Sequence, residues 1–175
     1  MSGQAAAGGA PSPPVNYVAA ARTADSVLLR VQGLGTMKNA LGVWDFTEDM
    51  VERGYRRFCL DLSGCRGMDS TFMGTLVGLS SRLKDIGEGG VSVVNASRST
   101  REILEIVGAD KFLDMRGKME LEDVETEILP KGNAPLARRI RLVRRAHEDL
   151  IEIDKRNEER FGAFLKALTA ELKGS

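Results

Sequence analysis

Three consecutive polar residues, Asp69, Ser70 and Thr71, are the part of this sequence best suited to chemistry. They follow the apolar segment FCLDL and a glycine-containing stretch, and they precede a segment with a helical spacing of apolar residues. Each is a preferred helix N-cap, because its side-chain oxygen can accept a hydrogen bond from a free N–H group of the first turn. Since one cap requires only one such side chain, three in a row indicate that at least one has another role.

Two kinds of chemistry are open to these hydroxyls. A nucleophilic serine needs a nearby base, and the only histidine of the chain, His147, lies in a distant segment, so we predict that the protein is not an enzyme. The acids Glu120, Glu122 and Asp123 are expected to be solvated surface. A hydroxyl at a helix N-terminus instead suits phosphorylation, because the helix dipole and the free N–H groups favour the added negative charge.

A stripe of small residues extends along the predicted helix, beginning with Ser70 and continuing with two glycines. Gly74 and Gly78 follow the serine at steps of four residues, which places all three on one helix face. The stripe has two explanations: close packing of the helix on the sheet, or a shallow surface for a partner protein. A partner on this surface would have to bury a phosphate on Ser70 or dissociate.

Composition argues against several other classes of protein. The chain has 25 basic and 25 acidic residues, so we predict no binding to nucleic acid, and the five arginines of RRIRLVRR are expected to form a solvated face. Cys59 and Cys65 are expected to be a buried, reduced pair, and neither a metal nor a cofactor is predicted. No apolar segment reaches roughly 18 residues, and the N-terminus lacks the pattern of a signal peptide, so we predict a cytoplasmic protein without a membrane span.

The elements that must position the hydroxyls include several short strands. The segments with the composition of strands are VNYVAA, SVLLRVQ, FCLDL, VSVVN and KFLDM. The first two are separated by a polar turn and are expected to pair as an antiparallel hairpin at a sheet edge. Residues 63–67, which follow FCLDL, are expected to form a loop.

Three segments between these strands have apolar residues three or four positions apart and are predicted to be helices. Their expected limits are Leu41 to Gly54, Ser70 to Gly87, and Ser99 to Gly108, the last beginning with a capping box of Ser99 and Glu102. Strands that alternate with helices predict an α/β domain over residues 15–124, with a mostly parallel central sheet and helices packed on it.

The regions on either side of this domain differ from it in composition. Residues 1–14 are expected to be a disordered leader, and residues 125–135 a linker. Residues 136–173 predict a single long helix of about ten turns. His147, Asp154 and Asn157 interrupt its apolar stripe. We therefore expect the two apolar ends of the helix to dock, on the parent domain or on a second copy, while the middle of the helix is exposed to solvent.

The order of elements and the segment LDLSGCRGMDSTFMGTLVGL together resemble the STAS domain of bacterial anti-sigma-factor antagonists. The resemblance spans residues 15–124 and excludes the leader and the long helix. It implies that Ser70 is the phosphoacceptor, with Thr71 as second choice. It also implies a partner-docking face, formed by Asp69, Ser70, Thr71, Phe72 and Gly74.

The same resemblance implies a function and its partners. The protein would be a regulatory binding module in a partner-switching circuit, bound and phosphorylated by an anti-sigma-factor serine kinase and restored by a serine phosphatase. The alternative is a non-phosphorylated STAS scaffold or transporter-associated subunit that self-associates through its C-terminal helix. Deleting that helix distinguishes the two, because a simple antagonist does not need it.

Overall fold

A six-stranded mixed sheet forms the centre of the fold. In chain order the strands of the computed structural model are β1 Tyr17–Arg22, β2 Ser26–Gly35, β3 Arg57–Met68, β4 Gly90–Val94, β5 Asp114–Met115 and β6 Glu127–Ile128. They lie side by side in the order β5-β4-β3-β2-β1-β6. Strands β2 to β5 are parallel, and β1 is antiparallel to both β2 and β6. The predicted α/β fold with a mostly parallel sheet is confirmed.

The structure describes residues 11–12 and 14–174, and most of the predicted leader, residues 1–14, lies outside them. Within the described residues the α-helices are α1 Met37–Glu52, α2 Ser70–Ile86, α3 Arg98–Ile106, α4 Leu136–Ile153 and α5 Arg156–Lys173. Helix α2 has the predicted limits, since Gly87 ends it in the left-handed conformation at φ 97°.

The capping box predicted for α3 is wrong. The N-cap is Ser97, whose hydroxyl accepts a hydrogen bond from the Thr100 N–H at 3.2 Å. Glu102 instead pairs with Arg98 on the helix surface. Because α3 therefore begins two residues earlier than expected, Ser99 lies within its first turn. A turn of 3₁₀ helix, Ala109–Lys111, follows α3 and takes up the start of the predicted strand KFLDM, of which only Asp114–Met115 joins the sheet.

The predicted hairpin of β1 and β2 is confirmed, but it does not lie at the very edge of the sheet. Glu127 and Ile128, from the expected linker, form β6 and pair with Ala20 and Ala19 of β1. The N–H of the next residue, Leu129, donates to the Val18 carbonyl at 2.8 Å. The linker is therefore partly a strand, and it covers the edge that the hairpin would otherwise expose.

The predicted loop at residues 63–67 is wrong, because β3 continues through it to Met68. Two irregularities in the pairing with β2 accommodate the extra residues. At one of them the Gln32 side chain packs against Gly64, so that a Cβ there would lie 2.1 Å from Oε1 of Gln32 and would displace that side chain. The extension places Met68 beside Gly35, so that α2 begins next to the start of α1.

The C-terminal segment is not the single long helix that was predicted. Asp154 has an extended backbone, with φ −148° and ψ 109°, and separates α4 from α5. Asn157, which is fully buried, donates hydrogen bonds to the Val107 carbonyl at 2.9 Å and to the Leu150 carbonyl at 2.6 Å. These bonds satisfy buried carbonyl groups at the corner between the helices, so the chain turns there and forms a helical hairpin.

The expected arrangement of docked ends around a solvated middle is also wrong. The buried side chains of the hairpin lie mainly in the middle of this segment: Leu142, Val143, Ala146, His147, Leu150 and Asn157. Leu142 and Leu150 belong to the same apolar core as the sheet and α2. In contrast, the side chains of Leu136 and Phe164, nearer the ends, are 59% and 45% exposed.

The arginine-rich start of α4 lies on the surface, as expected. Arg138 pairs with Asp45, and the guanidinium of Arg145 lies 5.2 Å from the centre of the Trp44 ring. Over the part of the chain that the structure describes, no helix is both long and apolar enough to span a membrane.

Candidate functional site

The start of α2 is capped by Asp69, which leaves the next hydroxyl free for another role. Oδ1 of Asp69 accepts a hydrogen bond from the Phe72 N–H at 2.8 Å, as an N-cap does. Oδ2 accepts from the Met37 N–H, also at 2.8 Å, in the first turn of α1. One carboxylate therefore serves two neighbouring helix N-termini, and Ser70 is not needed as a cap.

The hydroxyl of Ser70 bonds to the C-terminal hairpin. Its Oγ lies 2.8 Å from Nε2 of His147, in α4. Nδ1 of His147 lies 2.7 Å from the Val143 carbonyl oxygen, so Nδ1 carries the proton and donates it. Burial lowers the pKa of His147 and favours the neutral ring, whose Nε2 accepts a hydrogen bond from the Ser70 hydroxyl.

This contact overturns the argument that the only histidine lies too far from the serine. The two residues are 77 positions apart in sequence, and the folding of α4 onto α2 brings them together. The pair has the spacing of a nucleophile and its base. However, the imidazole is only 2% exposed and is closed off by the ring edges of Phe161 and Phe164, with centroids at 4.9 and 5.0 Å. The geometry suits a bond that holds α4 in place better than one that activates a substrate.

The residues expected to form the docking face differ in their placement. Asp69 and Ser70 are half-buried at the surface junction of β3 and α2. Thr71 and Phe72 point inward and are 5% and 1% exposed. The Phe72 ring packs so closely on Gly35 that a Cβ there would lie 2.7 Å from Cδ1. Thr71 and Phe72 therefore support this surface from beneath.

The stripe of α2 is covered along its length by α4. A Cβ on Gly74 would lie 2.2 Å from the carbonyl oxygen of Ala146, and one on Gly78 would lie 2.6 Å from Oδ2 of Asp149. With the bond between Ser70 and His147, each position of the stripe meets α4. The stripe does serve close packing, but against the chain's own helix and not against the sheet.

A partly buried carboxylate, that of Asp149, lies in this helix contact, and no sequence pattern indicated it. Within the described residues, Oδ2 of Asp149 is buried without a hydrogen-bond partner. Burial raises the pKa of Asp149 to about 6, although Arg145, whose Nε is 4.0 Å away, opposes the shift. An aspartate in a helix rich in charges gives no sequence signal of burial, because only the fold of α4 onto α2 places it there.

A second polar cluster, which no sequence pattern indicated, joins the middle of β2 and β3 to the residue that follows β4. Asp61 is buried and pairs with Arg30 at 2.8 Å, and it accepts from Asn95 Nδ2 at 3.1 Å. Burial alone would raise the pKa of Asp61, but hydrogen bonds from Ser63, Asn95 and Arg30 outweigh it and hold the pKa below its ordinary value. Since the charge is paired and hydrogen-bonded, the cluster helps to hold β2, β3 and the end of β4 together.

Comparison with known proteins identifies the domain. The family model described as "Mlab, STAS domain" matches residues 18–117. SpoIIAA in its unphosphorylated form superposes with a TM-score of 0.51 at 16% identity, over 59% of this chain and 89% of its own. An anti-sigma factor antagonist from Mycobacterium paratuberculosis gives a TM-score of 0.52 at 20% identity, over 64% of this chain and 92% of its own.

The phosphorylated form of SpoIIAA, a Bacillus cell fate determinant, gives a TM-score of 0.50 at 17% identity, over 59% of this chain and 92% of its own. Comparison with curated proteins gave no match. At these identities the superpositions show the fold, while the family model covers more than half of the chain. Helices α4 and α5 lie beyond the matched residues. The chain therefore belongs to the STAS-domain family and extends its domain with a C-terminal helical hairpin.

Proposed function

We propose that this STAS domain is a regulatory protein-binding module, an anti-sigma-factor antagonist whose partner switching is controlled by reversible phosphorylation of Ser70. One observation carries the proposal: the N-cap of α2 is Asp69, so the Ser70 hydroxyl is at the helix N-terminus without being needed to cap it. Thr71, the second-choice acceptor, is 5% exposed, which makes Ser70 the better substrate for a kinase.

The position of Ser70 suits a phosphate that acts as a switch. The N-terminal N–H groups of α2 and the helix dipole favour the added charge of about −1.5 to −2 in the free domain. A partner bound over Ser70 would have to bury this charge next to the carboxylate of Asp69. A penalty of about 3 kcal/mol, typical of an unpaired buried charge, weakens binding more than a hundredfold.

The partners in this proposal are an anti-sigma-factor serine kinase and a serine phosphatase. Asp69 and the stripe of α2 that begins at Ser70 and includes Gly74 provide the docking surface. Thr71 and Phe72 support this surface from within the domain. In its unphosphorylated form the domain binds the kinase, which then releases its sigma factor. The similarity of fold to anti-sigma factor antagonists supports this assignment.

Charge at residue 70 tests the proposal. We expect Ser70→Asp to abolish capture of the kinase from native cells and Ser70→Ala to retain it under all conditions. Ser99→Asp is the control, because Ser99 is an exposed serine in the first turn of α3. Phosphopeptide mapping of the protein from growing and stressed cells should find phosphate on Ser70. Equal capture by the Asp and Ala variants would refute the switch.

A second candidate function is a non-phosphorylated scaffold or transporter-associated subunit that self-associates through α5. It is favoured by the apolar face of that helix, where Phe164 is 45% exposed and Leu165 and Leu168 are partly exposed. Sedimentation velocity at increasing concentration tests it. A scaffold should associate, Leu168→Glu should prevent this, and the same change at exposed Ala167 should not. A sedimentation coefficient that stays at the value of the monomer at all concentrations would exclude it.

A further inference from the structure

The surface of α2 that the proposed function requires is occupied in this structure by another part of the same chain. His147 binds the Ser70 hydroxyl, and the backbone of Ala146 lies directly on Gly74. Asp149 lies over Gly78, one turn further along α2. A kinase that approached Ser70 along this stripe would meet α4 first.

The hairpin that covers this surface is an addition to the STAS domain, and it is anchored away from Ser70. The family model ends at residue 117, whereas α4 begins at Leu136. At the corner between α4 and α5, buried Asn157 bonds to the Val107 carbonyl at the end of α3. Asp154 lies against Gly108, where a Cβ would be 2.8 Å from its Oδ2. The corner can therefore hold the hairpin while α4 moves near Ser70.

The contact between α4 and α2 contains features that reduce its stability. Within the described residues, Oδ2 of Asp149 is buried without a hydrogen-bond partner, which costs free energy in the docked state. The N-terminus of α4 follows Pro135 and has no side-chain cap. These features favour a helix that undocks more easily than the sheet unfolds.

We propose that the hairpin of α4 and α5 is an autoinhibitory cover, which must be displaced from the α2 stripe before a partner binds or Ser70 is phosphorylated. This proposal rests on the proposed function of Ser70. The bond between Ser70 and His147 holds the cover closed at the acceptor itself. Because Gly74 admits the backbone of Ala146, the partner that replaces α4 presents a helix with a small side chain at this position.

Native-state hydrogen exchange on the full-length protein tests whether the cover opens by itself. At low denaturant concentrations, the amides of residues 136–153 should exchange about tenfold or more faster than those of β2, β3 and β4, through an opening that leaves the sheet protected. If the amides of residues 136–153 and those of the three strands exchange only through global unfolding, the hairpin is an integral part of the core. That result would overturn the proposal.

A matched pair of substitutions tests whether the cover controls Ser70. Ala146→Glu places a charged side chain at a buried position of α4, on the residue whose backbone contacts Gly74, and leaves the residues of α2 unchanged. Ala137→Glu puts the same side chain on an exposed position of the same helix. We expect the first variant to accelerate exchange in α4 and to raise the phosphate occupancy of Ser70 several-fold in growing native cells. The second should behave as the wild type does.

The outcomes separate this proposal from the function on which it rests. Unchanged protection of β2, β3 and β4 in Ala146→Glu would show that the variant is folded. Equal phosphate occupancy in the wild type and both variants, with α4 open in Ala146→Glu, would overturn the cover and leave Ser70 as the acceptor. Absence of phosphate from all three would overturn the proposed function, and the exchange result would then decide whether the hairpin is a displaceable cover.

Discussion

At the scale of single residues, Asp69, Ser70 and Thr71 have three different roles. Asp69 accepts hydrogen bonds from the first turns of two helices, through Phe72 and Met37. Ser70 directs its hydroxyl to the C-terminal hairpin, and Thr71 is buried beneath the surface. Asp69 thus holds the starts of α1 and α2 together, Ser70 connects the domain to the C-terminal hairpin, and Thr71 is part of the buried interior.

The cap at Asp69 can be measured by substitution. Asp69→Ala leaves two helix N–H groups without this acceptor, so we expect the free energy of unfolding to fall by about 2 kcal/mol. Asp69→Asn is the matched control, because its single amide oxygen retains one of the two bonds, and about half of the loss should remain. Urea unfolding measures both variants. A stability equal to that of the wild type in both would show that neither bond contributes.

At the scale of elements, the packing of α4 on α2 depends on a glycine. At Gly74 a Cβ would lie 2.2, 2.6 and 2.8 Å from three backbone atoms of Ala146, which cannot rotate out of the way. At Gly78 the nearest atom is the end of the Asp149 side chain, which can move. Of the two glycines, Gly74 is therefore the one at which the backbone of α4 leaves no room for a side chain.

Substitution of glycine by alanine should change the free energy of unfolding in opposite directions in α2 and in α5. Gly74→Ala should lower the free energy of unfolding by about 1–3 kcal/mol, because α4 must move away from α2. Gly162→Ala in α5 should raise it by up to about 1 kcal/mol, since the nearest atom, Cγ of Glu158, is 3.6 Å from the new Cβ and alanine favours a helix. Urea unfolding measures both, and a stabilised Gly74→Ala would contradict the close contact.

Local patterns in the sequence predicted several elements correctly, although the local capping box of α3 was wrong, and they failed where distant contacts decide. Helix α2 ends at the predicted glycine because a left-handed cap is a local requirement. The break before α5 depends on Asn157 and a carbonyl of Val107, 50 positions away. Similarly, the sequence identified Ser70 from its place before a helix, but no local pattern indicated that His147 would contact it.

At the scale of the whole molecule, buried His147 and partly buried Asp149, both in the contact of α4 with α2, make the stability of the fold depend on pH in opposite directions. Burial lowers the pKa of His147 from its ordinary value of 6.5, so the folded state favours the neutral ring. The folded state therefore loses stability as the pH falls below 6.5 towards the lowered pKa. Burial raises the pKa of Asp149 from 3.8 to about 6. The folded state therefore binds this proton more tightly, and stability is lost as the pH rises through about 6.

Removing one of these groups isolates its contribution. Asp149→Asn should be more stable than the wild type by about 2 kcal/mol at pH 8, because the cost of burying the charge is gone. The difference should shrink as the pH falls below 6 and should be smallest near pH 4. His147 is present in both proteins and cancels in the comparison. Urea unfolding at pH 4, 6 and 8 measures the difference, and a value independent of pH would contradict the burial of a charged Asp149.

The short strand β6 also affects how the molecule behaves at high concentration. An open edge strand exposes a row of N–H and C=O groups that can pair with another chain and begin aggregation. Glu127, Ile128 and Leu129 form bonds along one side of β1 and so shield the middle of that edge. The same few residues begin the connection to α4, so movement of the helical hairpin and protection against aggregation share one short segment of backbone.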